Sequence, residues 1–137
     1  MTSENESETR RQRGMRTMAE VYSWGDNLPD LPGEYFAVTA EHLFGDIWNR
    51  EGLSIRDRRL LLFGAITALG AWHVLPVQLN ATLAREELTP DQLREIAIFL
   101  TQYVGWPMGS QLNNLVEDAV RQHKGAGSKQ DFPGPSK

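Results

Sequence analysis

The sequence has no cysteine. That removes disulfides, thiolate metal sites and every mechanism that turns on a thiol. Histidine is scarce, with three in 137 residues. His42, His73 and His123 show no ligand-like spacing and no Asp/Glu cluster joins them, so neither a metal site nor a cofactor is expected. A long hydrophobic run is also missing. Leu60 to Trp72 falls short of the roughly 20 apolar residues that a membrane span needs. The polar start MTSENESETRRQRG has no apolar segment after its basic residues, unlike a secretory signal. No membrane association and a cytoplasmic location are the expectations. Positive charge is not in excess. A formal net charge of −4 argues against a nucleic-acid binder, which carries a clustered basic surface. No run of useful length alternates with period 2, so strands are not expected.

What is present is ordinary for a globular chain: 40% hydrophobic and 23% charged residues. The length suits one domain with a real core. Residues 1–16 are rich in Ser, Glu, Asn and Arg and read as a disordered tail. Arg10, Arg11, Arg13 and Arg16 within it form a solvated basic cluster or a contact for an acidic partner. Residues 17–124 read as a single helical domain, and 125–137, rich in Gly, Pro and Ser, as a flexible tail.

Helical spacing of apolar residues predicts about six helices and an all-α fold. A short helix covers Met15 to Tyr22. A second runs from Glu34 to Trp48, where Tyr35, Phe36, Ala40, Leu43, Phe44, Ile47 and Trp48 recur. A third follows Ser54, and its Leu60, Leu61, Leu62, Phe63, Ala65, Ile66, Ala68 and Leu69 cover almost the whole circumference. A helix apolar all round is central in a fold or buried by another subunit. In so small a domain this points towards self-association. Gly70 to Leu75 reads as a hinge, and Pro76 suits the first turn of a fourth helix reaching about Glu87. Thr89, Pro90 and Gln92 form the clearest helix start in the chain. Leu93, Ile96, Ala97, Leu100 and Val104 line one face of that fifth helix, which Gly105 ends. Pro107 opens the last.

The central stretch resembles the carboxymuconolactone decarboxylase family. The matching residues are Gly45-Asp46-Ile47-Trp48, then Arg50 to Ser54 with Arg56 and Arg58, then Ala68-Leu69-Gly70. They continue as Leu75-Pro76-Val77, Ala81, Leu83, Leu88-Thr89, Glu95 and Tyr103 to Pro107. The resemblance covers roughly Glu34 to Val120. It implies a small all-helical subunit in a ring-like homotrimer or homohexamer, with pockets near subunit contacts. One branch of the family decarboxylates a carboxymuconolactone in aromatic catabolism. Another reduces hydroperoxides through a C-x-x-C pair helped by a Glu and a His.

This chain departs from the family pattern at the chemical positions. The cysteine positions fall on Ala71 and Val74. The Glu position falls on Arg59, the His position on Gln78, and a usual glycine on Glu87. Thiol peroxidase chemistry is therefore impossible. Glutamine cannot act as a general acid or base near neutrality.

Decarboxylation of a lactone acid needs a cation for the carboxylate, an apolar wall and a proton source. Arg59 and Arg56, three residues apart on one helix face, suit the first task. Gln78 is expected to line the same site. Trp48 and Trp72 are candidates for the wall, and His73 for the proton. The expected ligand is a small anionic molecule. Two readings stay open: a cofactor-free carboxy-lyase on a cyclic or lactone carboxylic acid, and a non-catalytic oligomer that binds a small acid or scaffolds a partner. The retained surroundings favour the first and the missing histidine favours the second.

Overall fold

A computed structural model describes residues 7–26 and 28–127, with side chains through residue 125. Six α-helices have their bounds among these residues, as the spacing predicts. They fall into two compact units, Met1–Ile55 and Arg56–Lys137.

The first unit is built on α1 (Arg10–Tyr22), α2 (Glu34–Val38) and a π-helical segment, Thr39–Ile47. Helix α1 begins in the stretch expected to be a tail. Thr9 caps it through a full capping box, accepting from the Gln12 N–H while the Gln12 side chain accepts from the Thr9 N–H. Each arginine of the basic cluster has a carboxylate within the chain. Arg10 and Arg13 pair with Asp46, Arg11 with Asp30 and Glu41, and Arg16 with Glu8. Residues 10–16 are thus helical where disorder was expected; residues 1–6 lie outside the described residues. Ser23, at φ 59°, ends α1 by returning its N–H to the Ala19 and Glu20 carbonyls. Met18, Val21, Ala40 and Phe44 form the buried core of this unit.

The expected single helix over Glu34 to Trp48 changes pitch at Thr39. The π-helical hydrogen bonds reach five residues back, as from the Trp48 N–H to the Leu43 carbonyl at 2.9 Å. The loosened turn lets the Gly45 carbonyl accept from Arg13 Nε at 2.8 Å. Asn49 Nδ2 donates to the Phe44 carbonyl at 2.7 Å and to Thr17 Oγ1 at 2.8 Å. Here α1 and the π segment touch backbone to backbone through Gly14, Ala40 and Gly45.

The second unit holds most of α3 (Ile55–Leu69), a 3₁₀ turn (Trp72–Val74), α4 (Leu75–Ala84), α5 (Pro90–Val104) and α6 (Trp106–Gly127). Gly70 permits the hinge with a φ of +67°. Pro76 lies in the first turn of α4, and Thr89 and Gln92 close the expected capping box on α5. Helix α4 stops at Ala84, short of Glu87, because Glu86 turns left-handed at φ 58°. Gly105, at φ 97°, ends α5. Helix α6 runs past the expected tail boundary to Gly127. Phe63, Leu75, Leu79, Leu93, Leu112 and Val116 centre the core. The apolar circumference expected of α3 is only partly buried, with Leu61 63% and Leu69 80% exposed.

Candidate functional site

The buried residues of α3 include a cation. Arg59 is fully buried, and a charge there requires a partner. The partner is Glu87, carried round by the left-handed Glu86 after α4 ends. Arg59 Nε donates to Glu87 Oε1 at 2.9 Å and Nη2 to Oε2 at 3.1 Å, a bidentate fork. Arg59 Nη1 donates to Gln78 Oε1 at 2.7 Å. Arg85 Nε donates to Glu87 Oε2 at 2.5 Å, and the Thr82 hydroxyl lies 3.5 Å from Oε1. Three positions at which the chain departs from the family pattern, Arg59, Gln78 and Glu87, thus meet in one cluster. The carboxylate that pairs with Arg59 comes from the loop before α5.

The Glu87 carboxyl is pulled in two directions. Burial alone would raise its pKa. Hydrogen bonds and charge from Arg59 and Arg85 outweigh burial and hold it below the usual glutamate value. It therefore stays ionised at neutral pH and is poorly suited to donate a proton. A lowered folded pKa contributes stability above the unfolded value of about 4.3, lost as pH falls through the folded one. The urea midpoint of the parent is accordingly expected to fall more steeply between about pH 5 and 3 than that of Glu87→Gln. Parallel slopes would contradict this assignment.

Arg59 and Gln78, both expected to bind substrate, pack into the interior of the second unit. Both are buried and engaged with each other. Arg56 is different. Its side chain is 44% exposed, 3.9 Å from Asp57, and its Nε donates to the Glu87 carbonyl at 3.1 Å. Arg56 borders a groove of about 490 Å³ between α3 and α5, walled by Leu60, Leu88, Ile96, Phe99 and Leu100. Gln92 and Glu95 complete its lining.

The remaining expected site residues take other places. His73 is exposed on the 3₁₀ turn and makes no hydrogen bond or ion pair among the described residues. Trp72 is partly buried against the core of the second unit. Trp48 belongs to the first unit, where its ring stacks on Phe44 at 6.1 Å. Both tryptophans thus act as core aromatics. The wall residues Leu60 and Phe99 went unrecognised as such, although Phe99 lies i+7 from Gln92 on one helical face. No group of three or more His, Cys, Asp or Glu among the described residues could hold a metal ion. No described helix is long and apolar enough to cross a membrane.

Residues 33–118 match the model of the carboxymuconolactone decarboxylase family, and the chain belongs to that family. It is similar to the 4-carboxymuconolactone decarboxylase of Acinetobacter baylyi, with 25% identity over 96 residues, covering 70% of this chain and 71% of that protein.

Proposed function

We propose that the protein is a cofactor-free carboxy-lyase acting on a cyclic or lactone carboxylic acid. The likeness to a 4-carboxymuconolactone decarboxylase over about seven-tenths of both chains supports the substrate class. The single structural observation that carries the reading is a guanidinium, Arg56, set against an apolar wall. In this reading Arg56 holds a substrate carboxylate by charge-assisted hydrogen bonds. The carboxylate to be lost faces Leu60, Ile96 and Phe99, apolar side chains that offer it no hydrogen bond and so favour neutral carbon dioxide over the anion. The ring–carboxyl bond breaks, its electron pair delocalises into the unsaturated ring, and carbon dioxide leaves. A proton from water entering the open groove then completes the product. His73 has no hydrogen bond to aim it, and geometry comes before pKa for a proton donor.

Incubation with 4-carboxymuconolactone and trapping of carbon dioxide tests this. One carbon dioxide per substrate lost is expected, in the parent and in His73→Ala alike. A second reading, a small-acid-binding member without turnover, draws on the ionised Glu87 and the neutral Gln78. Binding of the lactone without its consumption would replace the first reading by the second.

The protein is also proposed to self-associate, as a homotrimer or homohexamer. Leu61, Leu69, Ile98, Tyr103 and Trp106 are 58–80% exposed on the single chain, and large exposed apolar residues in numbers mark interaction surfaces. A monomeric mass by light scattering would overturn this part.

A further inference from the structure

We infer that residues 128–137 of this chain, SKQDFPGPSK, dock over the α3–α5 groove, with the Phe132 ring on its apolar wall and the Asp131 carboxylate on Arg56. The inference rests on the groove assigned above to the lyase and names what covers it. Position comes first. These residues follow directly on α6 and lie outside the described residues. Helices α5 and α6 run side by side in opposite directions, since Thr101 meets Gly109 near their connection and Arg94 meets Glu117 further along. The end of α6 therefore lies at the start of α5. That is the end of the groove where Arg56 donates to the Glu87 carbonyl and Gln92 accepts from the Thr89 N–H. Leu88 joins the two places. It belongs to the core cluster that holds Ala119 and Val120 of α6, and it lines the groove.

The reach is sufficient. From Glu117 to Gly127 helix α6 rises about 15 Å, and Arg94 stands about 6 Å inside the start of α5, so α6 overhangs that start by about 9 Å. The five residues to Phe132 extend up to about 17 Å. That carries Phe132 diagonally back over the start of α5, a helix about 10 Å wide. Charge and shape choose this occupant. The groove sets one cation and one anion, Arg56 and Glu95, beside a wall of Leu60, Leu88, Ile96 and Phe99. Lys129 and Asp131 supply the matching pair, next to Phe132, the one large apolar side chain of the segment. Arg56 has room for a carboxylate. Its Nε goes to the Glu87 carbonyl, and the carboxylate paired with it, Asp57, stands off at 3.9 Å. Phe99 is exposed on the groove, and the Phe132 ring covers it as an aromatic pair. Pro133 and Pro135 fix φ and so limit the freedom that docking removes.

The chain has no cysteine, so Ser136→Cys takes a single nitroxide label in the full chain. Amide spectra of the nitrogen-15 protein then report where the label goes. The signals of Leu88, Gln92, Ile96 and Phe99 are expected to broaden relative to the reduced label. Adding Phe132→Ala is expected to restore them, and adding Asp131→Asn to restore them partway. Broadening spread evenly over the surface, no broadening, or broadening that survives Phe132→Ala overturns the inference. So does broadening seen only when labelled protein without nitrogen-15 is mixed with unlabelled nitrogen-15 protein, which puts a second copy's segment in the groove. A tethered segment meets its site at an effective concentration on the order of a millimolar. For a segment that fills the groove half to nine-tenths of the time, Phe132→Ala is expected to lower the KM for 4-carboxymuconolactone about 2–10-fold with kcat unchanged. An unchanged KM overturns the covering role. Broadening does not depend on turnover, so the two ideas separate. The expected pattern without turnover keeps the docking and discards the lyase, and turnover without the pattern does the reverse.

Discussion

Replacing Arg59 by alanine is expected to cost about 3–5 kcal/mol of folding free energy, the range for breaking a buried ion pair from one side. The side chain is fully buried and the Glu87 side chain is 6% exposed. Without Arg59, Glu87 keeps Arg85 but loses both bonds of the fork, and Gln78 Oε1 loses the donor at 2.7 Å. Total stability of such a domain is about 5–15 kcal/mol, so the variant should sit close to unfolding. The pair itself need not be worth that much. Two charges taken out of water are costly, and apolar replacements of both often match the original. Arg59→Met with Glu87→Leu is therefore expected to regain at least half of the loss, with Arg85 turning to solvent. Urea midpoints at constant m decide it. A double variant as unstable as Arg59→Ala would show that the cost lies in lost packing and not in an orphaned carboxylate.

The second large effect is expected in the first unit. A Cβ on Gly14 would lie 1.6 Å from the Ala40 carbonyl oxygen and 2.6 Å from its carbon. Those atoms are backbone, so α1 would have to move by more than an ångström. Arg10 and Arg13 would then leave Asp46. Alanine gains about 1 kcal/mol over glycine in helix propensity. Overpacking costs roughly 1–3 kcal/mol and more where backbone must shift, so Gly14→Ala is expected to be net destabilising by about 2 kcal/mol or more. Gly45→Ala, whose Cβ would meet the Arg10 carbonyl oxygen at 3.0 Å, should be milder. Thermal denaturation of the two variants checks the order. A stabilised Gly14→Ala would mean that α1 does not sit against the π segment as described.

The fold was legible where local chemistry speaks. Thr89-Pro90-Gln92, Gly105 and Pro76 each mark a boundary through a cap, a positive φ or a missing N–H, and all three stand where expected. Thr9 and Gln12 carry the same capping signature. The polar composition around them concealed it, because what holds α1 is distant in sequence: Met18 and Val21 bury against Ala40 and Phe44, and Arg10 reaches Asp46, 36 residues away. The π segment spans nine residues, about two turns, too few for apolar spacing to separate one helical pitch from another. The candidate site was legible in part. Arg59, Gln78 and Glu87 were each visible as departures from a family pattern, and Arg59 and Gln78 do touch. Glu87 stands 28 residues from Arg59, and nothing local announces their pairing. The signal was there in sign, a positive charge gained at one position and a negative one at the other. Reading it would have shown that Arg59 is already neutralised, and that Arg56 is the arginine left facing the groove.

The most direct measurement is the loss of 4-carboxymuconolactone, followed by its ultraviolet absorbance, with the parent and Arg56→Gln side by side. The account expects consumption by the parent and a kcat/KM lower in the variant by about 10–100-fold, the worth of one charge-assisted contact. A parent that neither consumes nor binds the lactone, or a variant as fast as the parent, would contradict it.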